Sequence, residues 1–118
     1  KPGGLIILAC ECRDGVPAAS PFERLLAEAD SAEAIMELLA AGGPPRAEQW
    51  QAQIQALVQR KAEVQLFSNL SAGLVEKCHL KPCADIAATV RDRLDRLPAD
   101  AKVAVLPQGP LTIPYLAS

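Results

Sequence analysis

Aromatic side chains are scarce in this sequence, at 3% of 118 residues, with one Trp, one Tyr and two Phe. Half of the residues are nevertheless hydrophobic, so the core must be aliphatic and built from Leu, Ile, Val and Ala. A chain of this length suits one domain and can bury a core without metal or disulfide crosslinks. We therefore expect a single α/β domain over residues 1–118.

Three further features are absent, and each absence excludes a class of protein. The formal net charge is only −2, with acidic and basic residues interspersed, so no basic face for nucleic acid is expected. No apolar run approaches the roughly 20 residues that span a bilayer, since the segment 4–10 is too short. The two Gly-Gly pairs lack the G-x-G-x-x-G and G-K-[ST] patterns of nucleotide-binding loops. We expect neither nucleic-acid nor membrane partners.

The chain starts with Lys1 and runs through Pro-Gly-Gly directly into an apolar strand. It opens neither with Met nor with the charged and apolar regions of a signal peptide. This start favours a cytoplasmic protein, and it is typical of a piece cut from a longer one.

Short apolar runs alternate with amphipathic stretches along the whole chain. The runs near residues 4–9, 63–68 and 102–107 predict strands, and the stretches between them predict helices. This alternation favours an α/β fold of three layers, with a mostly parallel sheet and helices on both faces. In such a fold, the segments that leave the carboxyl ends of the strands line the functional crevice. Here these segments are 10–20, 68–71 and 107–112.

Serine residues mark several helix starts. Ser20 and Glu23 predict an N-cap with a capping box, and Ser31 and Ser71 can cap later helices. A further helix is predicted from near Pro45. Spacings of three and four place one apolar stripe on it: Ala47, Trp50, Ile54, Leu57 and Val58. We expect Ile54 and Leu57 of this stripe to hold the helix on the sheet.

The chain has five side chains with soft or nitrogen donors: Cys10, Cys12, Cys78, Cys83 and His79. Their C-x-C and C-x4-C spacings are not those of the usual structural zinc sites, and buried free cysteine is common as a small hydrophobe. We predict no metal site and no disulfide, with a Cys/His metal site as the alternative. His79 is expected to cap a helix end, since no catalytic partner for it is legible.

The sequence Cys-Arg-Asp-Gly at residues 12–15 follows the first predicted strand, where a functional loop is expected. Asp-Gly is also an ordinary turn dipeptide, so a simple turn is the alternative. Spacing alone favours the turn.

Trp50 lies near the start of its helix, on the apolar stripe, and two interpretations of it remain open. Core packing explains a Trp on such a stripe. Alternatively, the indole faces a pocket, because a helix start presents free N–H groups to an anion. A flat wall beside those donors suits a small ligand with a carboxylate.

Three stretches, taken in order, resemble the C-terminal region of the nickel-dependent lactate racemase family: KPGGLIILACECRDG, AEQWQAQIQALVQRKAEVQLFSN and VLPQGPLTIPYL. The resemblance spans essentially the whole chain, and it depends on the order and spacing of the stretches. It implies a two-domain α/β enzyme with a nickel-pincer nucleotide, which takes hydride from the α-carbon of a 2-hydroxy acid and returns it to either face. In that family, the lysine and histidines that serve the cofactor and the chemistry belong to the N-terminal part, and none is matched here.

The resemblance carries Trp50 over as a wall of the substrate region, since it matches the tryptophan of a D/E-Q-W-x-x-Q stretch. We also predict substrate contacts from Arg13, Asp14 and Gly15, and no catalytic residue in this chain. Arg13 departs from the smaller or more neutral residues of some members, and its guanidinium could bind a second carboxylate or a phosphate.

The resulting hypothesis is the C-terminal domain of a racemase or epimerase of lactate or a related 2-hydroxy acid. The domain would supply pocket walls and domain closure against the N-terminal catalytic domain of the same chain, and it would be inactive alone. That other domain would bind the nickel-pincer nucleotide, and none is expected on this chain. The alternative is a non-catalytic α/β module that binds a ligand or a protein, because a fold alone does not determine function.

Overall fold

The structure of the protein is a computed structural model that describes residues 2–113. The chain divides into two compact units, Lys1–Ile86 and Ala87–Ser118. The first unit holds the sheet and the residues predicted to form a site. No helix in the described part of the chain is long and apolar enough to cross a membrane.

A three-stranded sheet forms the centre of the first unit. Its strands are β1 (Gly4–Ala9), β2 (Ala62–Phe67) and β3 (Lys81–Pro82), in the order β1-β2-β3. Both pairings are parallel, so each strand is reached by a crossover from the previous one. The predicted α/β fold with a parallel sheet is confirmed, and the first two strands lie where the apolar runs predict them.

The prediction of a third strand near residues 102–107 is wrong. Residues 101–106 form no strand, and Val105 is 78% exposed. Alternating apolar residues show that a segment fits a pleated surface, but a strand also needs a neighbour for its backbone groups. The third strand is instead Lys81–Pro82, beside Gln65 and Leu66. Two residues, one of them proline, are too few to show a periodic pattern.

Among the described residues, the helices are α1 (Pro21–Glu28), α2 (Ala32–Ala40), α3 (Gln49–Gln59), α4 (Ala72–Lys77) and α5 (Ile86–Leu94), with a 3-10 turn at Gly109–Leu111. The predicted serine caps of α1, α2 and α4 are confirmed. In each, the serine Oγ accepts from the N–H three residues on: Ser20 from Glu23, Ser31 from Ala34 and Ser71 from Leu74. A serine cap is a local feature, because it supplies an acceptor to N–H groups that lack a partner within their own helix.

Helices form the main buried cluster of the first unit. Leu25, Leu26, Ile35, Ala52 and Ala56 come together from α1, α2 and α3. Larger, partly buried side chains surround them: Phe22, Met36, Leu38 and Leu39. The buried cluster is aliphatic throughout, as the composition predicts.

The buried face of α3 is opposite to the predicted one. Ala52 and Ala56 are fully buried, whereas Ile54 is 54% exposed and Leu57 and Val58 are exposed as well. At 3.6 residues per turn, the two alanines lie across the helix from Ile54. The prediction that the apolar stripe is the packed face of this helix is therefore wrong.

Glutamine side chains explain why this face of α3 turns inward. Gln55 Nε2 donates to the backbone oxygen of Cys78 at 2.7 Å, and Gln59 Nε2 donates to the backbone oxygen of His79. Both oxygens lie just past the end of α4, where carbonyl groups lack partners within the helix. The alanines let α1 and α2 approach α3 closely, while the amides satisfy the end of α4. A hydrophobicity pattern predicts instead that these same glutamines lie on the solvent-exposed face of α3.

The apolar stripe of α3 lies beside one face of the sheet, where it lines a groove with Ile6 and Ala62. Alternate residues of a strand point to the same face. That face of β2 therefore also carries Val64 and Leu66, which are both buried. A helical layer on the opposite face stays a prediction.

Candidate functional site

The carboxyl ends of β1 and β2 lie side by side and lead into two loops. The N–H of Cys10 donates to the oxygen of Phe67 at 3.0 Å, and the N–H of Asn69 donates to the oxygen of Glu11 at 3.4 Å. These bonds continue the strand pairing past the sheet and hold the two loops together. The edge at which α/β folds form their sites is thus well defined in this chain.

Three predicted site residues, Arg13, Asp14 and Gly15, belong to a tight turn after β1. The N–H of Gly15 donates to the oxygen of Cys12 at 3.0 Å and closes this turn. Gly15 has a φ of 67°, a left-handed value at which glycine avoids the strain of a Cβ. The turn interpretation is confirmed, and contact of these residues with a substrate stays a prediction.

Arg13 is paired with a carboxylate on the surface. Its Nε lies 2.8 Å from Oε2 of Glu11, and both side chains are largely exposed to solvent. Exposed ion pairs of this kind contribute little to stability, because water screens both charges. This ion pair therefore holds the guanidinium of Arg13 only weakly.

Trp50 is the second residue of α3 and is 60% exposed. This exposure excludes the core interpretation and leaves the indole available to a ligand or to another domain. A helix that connects two parallel strands runs antiparallel to them, so its start lies at their carboxyl edge. The fold thus brings Trp50 to the same edge of the sheet as the turn that holds Arg13.

The approach to α3 is anchored to α1 at two points that the sequence does not predict. Glu48 has a left-handed φ of 61°, and its Oε2 accepts from the N–H of Phe22, in the first turn of α1, at 3.0 Å. Near the other end of α1, the guanidinium of Arg46 makes two hydrogen bonds with the carboxylate of Glu28. These contacts fix the residues immediately before Trp50.

The same anchoring explains why α3 starts at Gln49 rather than near Pro45, as predicted. A residue at a φ of 61° cannot continue a right-handed helix, so Glu48 sets the boundary. The side chain of Gln49 supports it, since its Oε1 accepts from the N–H of Arg46 at 2.7 Å. Trp50 consequently lies in the first turn instead of the second.

We expect the Arg46→Gln variant to raise the pKa of Glu28. Hydrogen bonding to Arg46 is the main cause that holds the pKa of this carboxyl below its ordinary value. Because the folded pKa is lowered, the pair stabilises the protein above the ordinary pKa, and this contribution is lost as pH falls through the folded pKa. NMR titration of the Glu28 carboxyl carbon measures the change.

The control for this titration is Arg60→Gln, which alters a separate ion pair with Glu33 and should leave the pKa of Glu28 unchanged. Equal pKa values for Glu28 in the native and Arg46→Gln proteins would contradict the proposed anchor.

An apolar surface runs along α3 and the exposed part of β1. We name it the α3–β1 surface and define it by six exposed side chains: Ile6, Leu8, Trp50, Ile54, Leu57 and Val58. Part of it forms an open groove of about 310 Å³, which Lys61 and Ala62 complete. Clustered apolar side chains of this kind mark interaction sites more often than single exposed ones do.

The cysteines and the histidine are distributed over several elements. Within residues 2–113, no three side chains of His, Cys, Asp or Glu are grouped so that they could hold a metal ion. Cys83 is buried, and partial burial raises the pKa of the Cys78 thiol. His79 lies at the end of α4, where its backbone N–H donates to the backbone oxygen of Glu76 at 2.9 Å. Packing and helix termination account for these three residues.

A parallel α/β unit with an exposed indole and a charged turn at its carboxyl edge is the architecture of an α/β enzyme or ligand-binding domain. The chain matches the lactate racemase C-terminal domain family over residues 1–113. It therefore belongs to that family, and the resemblance stated from the sequence is confirmed.

A solved structure supports the same relationship. The lactate racemase apoprotein from Thermoanaerobacterium thermosaccharolyticum is similar to this chain, with a TM-score of 0.76 and 27% sequence identity. The similarity covers 92% of this chain and 27% of the apoprotein chain, so this chain spans about a quarter of the length of that protein. No match was found among curated proteins.

Proposed function

We propose that residues 1–118 are the C-terminal domain of a two-domain cytoplasmic enzyme that racemises or epimerises lactate or a related 2-hydroxy acid. The observation that carries this proposal is the exposed Trp50 at the carboxyl edge of a chain in the lactate racemase C-terminal domain family. In this proposal the domain supplies walls of the substrate pocket and is inactive alone.

The turn after β1 offers groups that suit a 2-hydroxy acid. Arg13 carries a planar guanidinium, which can bind a carboxylate through two parallel hydrogen bonds. Asp14 can accept a hydrogen bond from a substrate hydroxyl, and Gly15 lets a ligand approach the backbone closely. Trp50 adds a flat apolar wall that keeps water from one side of the substrate.

The α3–β1 surface is the proposed contact with an N-terminal catalytic domain of the same chain. The similar apoprotein is much longer than this chain, which covers 27% of it, and this extra length supports the proposal of a further domain. Substrate clefts are common between two domains. Docking of such a domain would cover the apolar side chains of α3 and leave Trp50 at the boundary between the two domains.

The nickel-pincer nucleotide implied by the resemblance finds no nickel site among residues 2–113. Within the described residues, no group of three His, Cys, Asp or Glu side chains could hold nickel, and the contact between Cys10 and Cys12 brings only two sulfur atoms together. We therefore assign the cofactor to the N-terminal domain of the proposed enzyme. The residues of this chain bind and orient the substrate in that arrangement.

The proposal is tested by comparing the full-length protein with residues 1–118 alone. We expect the full-length protein, isolated with its cofactor, to interconvert the two enantiomers of lactate, or of another 2-hydroxy acid, as measured by chiral chromatography. The isolated chain should give no turnover at any nickel concentration, because the resemblance places the acid–base histidines in the N-terminal part and residues 2–113 group no three side chains that could hold nickel.

Turnover by the isolated chain would overturn the assignment of the chemistry to another domain. If the cofactor-loaded full-length protein converted none of a panel of 2-hydroxy acids, the non-catalytic module would be the better description. In that case the α3–β1 surface would still predict a protein partner.

A further inference from the structure

Two cysteine sulfurs lie in contact at the end of β1. Cys10 Sγ is 3.2 Å from Cys12 Sγ, and the two thiols share a hydrogen bond. In an extended strand the Cα atoms of residues two apart are separated by about 6.6 Å. This spacing does not by itself bring the two sulfurs into contact. The left-handed φ of 53° at Cys12 bends the chain and brings the two side chains together.

Backbone hydrogen bonds hold this bend in place. Cys10 donates to Phe67, the oxygen of Glu11 accepts from Asn69, and the oxygen of Cys12 accepts from Gly15. All three residues of the C-x-C segment are thus held by main-chain contacts, one to the last residue of β2 and one to the loop after it. The fold therefore fixes the backbone positions from which the two sulfurs meet.

Cys10 is the most accessible of the four cysteines. Cys10 is exposed and Cys12 is half-buried, whereas Cys83 is buried and burial raises the pKa of Cys78. The side-chain hydrogen bond to Cys12 raises the pKa of the Cys10 thiol. Thiol reactivity requires both access and a thiolate, and Cys10 is the exposed one of the four cysteines.

We propose that Cys10 and Cys12 form a dithiol site that low-molecular-weight disulfides, such as oxidised glutathione, convert to an intramolecular disulfide. One of the two protein thiols loses its proton and attacks one glutathione sulfur, which forms a mixed disulfide and releases one glutathione thiolate. The other protein thiol then loses its proton and attacks the protein sulfur of this mixed disulfide, which forms the Cys10–Cys12 bond and releases the second glutathione thiolate. The two protein thiols are oxidised by two electrons, and the glutathione disulfide is reduced by the same two.

The geometry requires only a small movement for this step. A disulfide bond is about 2.05 Å long, so the sulfurs must approach each other by about 1.2 Å from their present separation. The bridge would form directly before Arg13 and would stiffen the turn that carries it. This redox chemistry is independent of the racemase function proposed above.

Mass spectrometry of the full-length protein tests the proposal. The reduced protein is equilibrated with glutathione and oxidised glutathione at set ratios, alkylated, and digested with trypsin. Cys10 and Cys12 fall in the peptide that ends at Arg13, and residues 78–91 form a second peptide with the other two cysteines, because Lys81 precedes a proline. We expect the first peptide to lose about 2 Da and take up no label, while the second peptide is fully labelled.

Two comparisons make the result specific. The same equilibration in denaturing urea should require about tenfold more oxidising conditions or more, because the bend at Cys12 is then lost. The Cys10→Ser variant should stop at a stable glutathione adduct on Cys12, since the resolving thiol is absent. Equal oxidation in the folded and denatured protein, a bridge to the peptide of residues 78–91, or two labels on the first peptide under oxidising conditions would overturn the proposal.

Discussion

The Ile35→Ala variant of the chain is expected to lose about 2–5 kcal/mol of its free energy of unfolding. Ile35 is 0% exposed and packs in the cluster formed by α1, α2 and α3. Removing three buried carbons forfeits their transfer from water and leaves a cavity, because the neighbours relax only in part. Urea denaturation, followed by circular dichroism, measures the loss as a lower midpoint at an unchanged slope.

The matched control is Ile54→Ala, which removes the same atoms from an exposed position. Ile54 is 54% exposed, so the chain without a docked partner should lose less than about 0.5–1 kcal/mol. The sequence pattern predicts the reverse, a large loss of the free energy of unfolding for Ile54→Ala. If Ile54→Ala proved as destabilising as Ile35→Ala, α3 would present its other face to the core, and the α3–β1 surface would not exist.

Features that depend on neighbouring residues are predicted well from the sequence. Ser20, Ser31 and Ser71 each cap a helix through an N–H three residues away, and the Asp14-Gly15 turn closes over four residues. In each case the donor and the acceptor are within one turn of the chain, so local sequence specifies them.

The orientation of α3 could not be predicted, because it depends on contacts between distant segments. Hydrophobic periodicity selects Ile54 and Leu57 as the packed side. The fold instead buries Ala52 and Ala56, and it uses Gln55 to satisfy a backbone oxygen 23 residues further along. The apolar stripe of α3 therefore points away from the core of its own domain.

The sheet also depends on contacts between distant segments, which local sequence does not predict. β3 is two residues long and forms because Leu66 accepts from the N–H of Cys83 at 2.9 Å, which no local pattern reveals. Val103 and Val105 have the composition of a strand but form none. Strand formation requires a partner, and composition indicates only that a partner would be tolerated.

Of the candidate site, the sequence predicts the residues that face outward and misses those that position them. The family resemblance predicts Trp50, and the position after a strand predicts Arg13. Glu48 and Arg46 contact α1 residues that lie 26 and 18 positions away, and a glutamate in the left-handed conformation has no sequence signal. A family pattern can predict exposed candidate residues such as Trp50. The residues that position them, such as Glu48 and Arg46, are identified only from the three-dimensional contacts.

The Trp50→Ala variant of the full-length protein is expected to lose about 10- to 100-fold in kcat/KM for the 2-hydroxy acid that the proposed enzyme racemises. The indole is 60% exposed in this domain, so truncation leaves its core intact and removes the proposed flat wall of the substrate pocket. The free energy of unfolding of residues 1–118 should change by less than about 0.5–1 kcal/mol. Trp50→Phe keeps an aromatic wall and should recover part of the activity.

Leu57→Ala distinguishes a substrate wall from a docking contact, because Leu57 lies on the same stripe of α3 but further from the carboxyl edge of the sheet. We expect it to weaken association with the N-terminal domain, measured by titrating the two separately expressed domains, and to leave KM for the substrate nearly unchanged. Trp50→Ala should instead raise KM or lower kcat in the covalently linked protein, where docking is intramolecular. If both variants lost activity equally and in proportion to their loss of domain association, Trp50 would be part of the interface alone, and the substrate wall would have to come from another residue.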